Sequence, residues 1–84
     1  MRNKIFKEIK KERAYQDEKW GVKFDDKNTL NDWITYINIY AGEAAKMGIS
    51  KEEQRKYMVK VASLAVAALE VFDRNGGFAP RHYD

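Results

Sequence analysis

The sequence predicts an all-α protein: a small three-helix protomer with a long apolar third helix, assembling into a compact symmetric homo-oligomer. Three observations lead there. Apolar residues recur at helical spacing in three segments. Cap and stop residues bracket those segments. The stretch VKVASLAVAALEVF, residues 59 to 72, is polar only at Lys60, Ser63 and Glu70. Such a helix is apolar nearly all round and has to be buried on most sides. Two further helices from so short a chain cannot enclose it well, and its alanines permit close helix approach, so copies of itself are expected to complete the burial.

The first helix is expected from about Asn3 to Lys19. Ile5, Ile9, Gln16 and Trp20 lie near one stripe, with Phe6 and Tyr15 on its flanks. Lys4, Lys7, Lys10, Lys11 and Arg13, interleaved with Glu8 and Glu12, read as a solvated face with local ion pairs. The apolar face is narrow, so this helix covers a core rather than forming one, and Gly21 is its stop. The loop GVKFDDKNT, residues 21 to 29, follows. Asn28 and Thr29 are N-cap types, with Asp32 three residues after Thr29 in a weak capping box. The second helix then runs from about Leu30 to Met47, its apolar face carrying Leu30, Trp33, Ile34, Ile37, Tyr40, Ala41 and Ala44. Gly48 is its expected C′ residue. Ser50 and Glu53 form a clear capping box for the third helix, which runs to about Arg74 and ends at Gly76-Gly77.

The 84 residues form one domain, 1–84, with no repeat, low-complexity tract or linker. So short a chain buries only roughly 60% of its unfolded surface, and small domains usually add disulfides, a metal or partner subunits. There is no cysteine, so disulfides and thiolate metal sites are excluded. His82 is the single histidine, too few ligands for structural zinc. Subunit association is the support that remains, and neither metal nor cofactor is expected. Charged residues make up 35% of the chain, with a net charge of +3 and both signs interspersed. This is not the one-sided excess of a protein that binds polymeric nucleic acid, but it suits a small anion. With no apolar leader and no run long enough to span a bilayer, the expected location is a cytosol, with no membrane partner.

Candidate chemistry falls in four places. Glu70 and Asp73 form an ExxD pattern, the second half of the ExxE…ExxD magnesium element of the all-helical MazG-type nucleotide pyrophosphohydrolases. Glu43 stands alone before it, so the first half is missing, and a solvated carboxylate pair explains the rest. No nucleophilic constellation is visible, and no catalytic residue is assigned. Lys27, Asn28 and Thr29 stand at a helix N-terminus, where free N–H groups and partial positive charge suit a phosphate; an ordinary cap beside an exposed lysine reads equally from the same residues. Tyr15, Trp20 and Phe24 precede that loop. Aromatic faces beside a phosphate-binding helix start are the two components of nucleotide recognition. Trp20 shares the stripe of Ile5 and Ile9 and is expected in the core, whereas Tyr15 lies off its centre and is the better ligand platform. Arg74 directly follows the apolar helix. On a symmetry axis its copies would gather and want an anion; off one, it is an arginine favoured by the helix dipole.

Taken together, ERAYQDEKWG, DDKNT, NDWITYINIYAGEAA and KVASLAVAALEVFDRNGGFAPRHYD resemble the bacteriophage anti-CBASS cyclic-oligonucleotide sponge family, of the anti-CBASS protein 2 type. The resemblance covers essentially the whole chain. It implies a compact helical homohexamer in the cytoplasm of an infected bacterial host. Such a protein sequesters cyclic dinucleotides such as cyclic GMP-AMP, and cyclic trinucleotides, without cleaving them, and so keeps CBASS effectors silent. Carried over by matching motif, Tyr15 corresponds to the base-stacking residue and Lys27 to the phosphate contact, with Asn28 and Thr29 adjoining it. Arg74, in FDRNGG, corresponds to the trinucleotide contact. The alternative is the magnesium-dependent pyrophosphohydrolase built on Glu43, Glu70 and Asp73.

Overall fold

The computed structural model describes residues 1–81 as four helices: α1 (Arg2–Lys19), α2 (Val22–Lys27), α3 (Leu30–Ala44) and α4 (Lys51–Asn75). Among the described residues there is no β-strand, only an isolated bridge between Thr29 and Ala79. His82 lies outside the described residues. The three expected helices correspond to α1, α3 and α4. The additional one, α2, occupies the segment read as a loop. Six residues cannot hold a helix by themselves, so its stability is tertiary. Phe24 stacks on Trp20 at 4.9 Å between ring centroids and on Tyr36 at 6.5 Å. Gly21, at φ +84°, supplies the left-handed residue that lets α1 stop and α2 begin.

Helix α4 is the axis of the molecule, with α3, α1 and α2 all packed against it. Its 25 residues span about 37 Å at ~1.5 Å per residue. The Ser50 capping box is present: Glu53 N–H donates to Ser50 Oγ at 3.1 Å, and Ser50 N–H donates to Glu53 Oε1 at 3.3 Å. Gly76, at φ +72°, closes the helix, and the Gly77 N–H donates back to the Phe72 carbonyl at 3.0 Å. Helix α3 is capped by the same device, Thr29 with Asp32, at 3.1 and 2.9 Å. It stops at Ala44, short of Met47, because the Ala45 and Lys46 N–H groups turn to the Gly42 and Glu43 carbonyls. The tightened turn ends the helix before Gly48 is reached.

The buried apolar core is small: Trp33 from α3 against Ala67, Ala68 and Val71 from α4, with Tyr36, Leu64 and Phe78 around it. The two alanines give the indole room to lie against the α4 backbone. Burying an aromatic ring of this size contributes about 4–6 kcal/mol. Ser63, fully buried within α4, donates to the Val59 carbonyl at 2.7 Å and so needs no other partner. Trp20, expected in the core, is instead 52% exposed. It stands at the C-cap of α1, where the chain turns away toward α2.

The buried residue of α1 is Arg13, which is 8% exposed. The solvated face expected of the α1 cations is therefore interrupted by one that points inward. Arg13 Nε donates to Glu70 Oε1 at 2.8 Å, Nη1 to Gln16 Oε1 at 2.9 Å, and Nη2 to Asp17 Oδ1 at 2.8 Å. Asp25 of α2 lies 3.9 Å from Nη2, an ion pair without a hydrogen bond. Burial works against the charge on Arg13, but Glu70 and Asp17 outweigh it and raise the guanidinium pKa. Burial also raises the Asp25 carboxyl, against the lowering effect of Arg13. One guanidinium thus ties α1 to α4 and draws α2 toward both.

The apolar surface left over is large. Met58, Leu69 and Phe72 of α4, Ile34 and Ile39 of α3, and Ile5 and Phe6 of α1 are all exposed. The chain presents 6522 Å² to solvent, against about 5,200 Å² for a compact monomer of 9.9 kDa. Its radius of gyration is 13.7 Å, where about 12 Å is usual for this length. No helix among the described residues is long and apolar enough to cross a membrane.

Candidate functional site

An open groove of about 550 Å³ lies between α1 and the first half of α4. Helix α1 supplies Glu8, Lys11, Glu12 and Tyr15, and α4 supplies Glu52, Arg55, Lys56 and Val59. The α1 residues recur every three or four positions, which puts them on one helix face. Arg55 grips Glu8 with both terminal nitrogens, which holds the two walls together. Hydrogen bonding from Arg55 keeps the Glu8 carboxyl below its ordinary range.

Tyr15 is 52% exposed. Its ring is bordered by two ammonium groups from different helices, Lys60 Nζ at 5.6 Å and Lys19 Nζ at 6.0 Å from the centroid. Lys60 is also 5.7 Å from the Tyr40 ring, which stacks on Tyr57 at 6.3 Å. Its ammonium donates to Glu12 Oε2 at 3.2 Å. Lys19 lies 5.1 Å from the Trp20 ring. A half-open aromatic face flanked by cations can take a flat, electron-rich ring together with an anionic group.

The other expected residues lie around α2. Lys27 is exposed at its last turn, and it is not among the residues lining the Tyr15 groove. Asn28 and Thr29 follow, both buried. Thr29 is held in the α3 capping box. Asn28 Oδ1 accepts from the Tyr36 hydroxyl at 3.1 Å, while its Nδ2 is buried with no partner among the described residues. Both residues are therefore engaged in joining α2 to α3. Arg74, at the end of α4, donates to Asp26 of α2, and Asn75 Nδ2 donates to the same oxygen at 3.0 Å. These bonds hold the Asp26 carboxyl below its ordinary range, and Asp26 in turn raises Arg74. Arg74 is thus one half of a clasp on Asp26, the residue next to Lys27, and Tyr15 lies in a separate groove.

The three carboxylates of the pyrophosphohydrolase alternative do not come together. Glu70 accepts from Arg13, and Glu43 pairs with Lys46 at 2.9 Å. Among the described residues no group of three His, Cys, Asp or Glu side chains is arranged to hold a metal ion.

Sequence reasoning missed Lys60 and the inward turn of Arg13. For Lys60 there was a signal: it interrupts the apolar stretch of residues 59 to 72. No protein-family model, curated protein or solved structure matches this chain.

Proposed function

We propose that this chain is a non-enzymatic sponge for cyclic oligonucleotide messengers, acting as a symmetric homo-oligomer in the cytoplasm of a phage-infected bacterium. The observation that carries the reading is the half-exposed Tyr15 ring, bordered by two ammonium groups in a groove. Stacking on such a ring contributes about 1–3 kcal/mol per base, whereas nanomolar capture needs about −12 kcal/mol. A single ring is insufficient. Two copies facing each other across a two-fold axis present two rings and a doubled set of cations to the two bases and two phosphates of a cyclic dinucleotide.

Self-association is supported by the exposed apolar residues of α1, α3 and α4 and by the excess surface. A homohexamer built as three dimers has two-fold and three-fold axes, one matching each ligand class. Lys27, exposed beside the α3 cap, is the proposed dinucleotide phosphate contact, with Asn28 and Thr29 shaping the turn that carries it. Arg74, oriented by Asp26, is the proposed trinucleotide contact.

The test is to mix the protein with cyclic GMP-AMP and magnesium, remove free ligand, denature, and identify what is released. Intact cyclic GMP-AMP is expected. Linear or mononucleotide product would assign an enzyme instead, and failure to retain any nucleotide would remove the sponge reading.

A further inference from the structure

We infer that Lys60 is a ligand-binding residue of the Tyr15 site, a second cation that, in addition to Lys27, meets a phosphate of the nucleotide whose base lies on the Tyr15 ring. The inference rests on the nucleotide-binding reading of that groove and assigns to it a residue on α4.

Lys60 occupies an unusual position for a lysine. Its side chain is 19% exposed, on a helix whose neighbouring positions are apolar. An aliphatic stem lying on apolar surface is common, but the ammonium then normally reaches water. Here it is held between the Tyr15 and Tyr40 rings, at 5.6 and 5.7 Å from their centroids. Glu12 accepts one hydrogen bond from it. An ammonium has three donors, so it can receive a further acceptor without giving up Glu12.

The charge balance favours an anion beside this ring. The three acidic and three basic residues lining the groove cancel in formal charge. Lys19 and Lys60, flanking Tyr15, are additional to that set. The surplus therefore falls beside the aromatic face, where a base and its attached phosphate would both be satisfied. A neutral aromatic ligand would use the ring and leave the surplus charge unanswered. The fixed position of Lys60 also lowers the ordering cost of binding, because its stem is already packed.

The experiment measures cyclic GMP-AMP affinity at several salt concentrations for the full chain and for Lys60→Met, Lys60→Arg and Tyr15→Ala. Helicity, melting temperature and assembly mass are recorded for each. Lys60→Met keeps the length and apolar stem but removes the charge. Its affinity is expected to fall at least tenfold and its salt dependence to flatten, with the assembly mass unchanged. Lys60→Arg is expected to recover most of the loss. Binding that Tyr15→Ala abolishes but Lys60→Met leaves at full strength overturns the inference alone. Equal loss in Lys60→Met and Lys60→Arg overturns it too, since packing rather than charge would then matter. No binding by the unmodified protein overturns the functional reading and this inference together.

Discussion

Arg13 and Glu70, separated by 57 positions in the chain, are joined by a 2.8 Å hydrogen bond from Nε to Oε1. The bond places the most buried charge of α1 against the outer half of α4, and Asp17 and Asp25 complete its surroundings. Replacing Arg13 with methionine keeps much of its bulk but removes its hydrogen bonds to Glu70, Gln16 and Asp17 and takes from the buried Asp25 its ion-pair partner, with Arg74 the remaining cation acting on it. The expected cost is about 1.5–3 kcal/mol, the range for hydrogen bonds to charged groups. Glu70 is half-exposed, so Glu70→Gln is expected to cost less than about 1 kcal/mol. Urea midpoints of the two variants test the ordering; equal effects would contradict a role for Asp25.

Trp33 carries most of the apolar core. Trp33→Ala removes the ring that covers Ala67, Ala68 and Val71 and is expected to cost about 3–5 kcal/mol. For a domain with so few other buried side chains, that loss should abolish the cooperative thermal transition. A variant that still melts sharply near the original temperature would show that the fold draws its stability from elsewhere.

The clasp at α2 should open in acid. Hydrogen bonds from Arg74 and Asn75 lower the Asp26 pKa, and Arg55 lowers that of Glu8. A lowered carboxyl pKa contributes stability that is present above the ordinary carboxylate range, about pH 4, and is lost as pH falls toward the folded value. Asp25 has the opposite sign. Burial raises its pKa, so its contribution is present at low pH and is lost as pH rises through the raised value. Near-ultraviolet circular dichroism, sensitive to the Trp20–Phe24 stack, should show a change below about pH 4. In Asp26→Asn that change should weaken; an unaltered acid profile would argue against the clasp.

Tyr15 and Arg74 should separate the two ligand classes. Tyr15→Ala is expected to lower cyclic dinucleotide affinity by about thirtyfold or more, from the loss of about 1–3 kcal/mol per stacked base at two bases, about 2–6 kcal/mol in all. Cyclic trinucleotide binding should be retained. Arg74→Ala is expected to do the reverse. Titrations of both variants with both ligands provide the measurement, and parallel losses in one variant would contradict separate sites.

The parts of this structure legible in sequence are those decided locally. Ser50 with Glu53 and Thr29 with Asp32 lie three residues apart, so each capping box was readable from spacing alone. Gly76 closes α4 for an equally local reason, its positive φ. Helix α2 was not legible, because six residues show no periodicity and its support comes from Trp20, Tyr36 and Arg13 elsewhere in the fold. Arg13 resembled its α1 neighbours because Glu70 and Asp25 are remote in sequence. Trp20 followed the apolar stripe, but the stripe ends where Gly21 turns the chain. At the site, Tyr15 stood out by its position off that stripe. Lys60 stood out only as a polar break in an apolar stretch, since its proximity to Tyr15 and Tyr40 exists only once α1 and α3 pack on α4.

The central claim is stoichiometric capture without chemistry. Isothermal titration of cyclic GMP-AMP into the protein, followed by mass analysis of the recovered ligand, tests it most directly. The expected result is about one cyclic dinucleotide per two chains, as a two-fold site requires, with the ligand recovered intact. Absence of binding heat, saturation at one ligand per chain, or recovery of a hydrolysed product would contradict it.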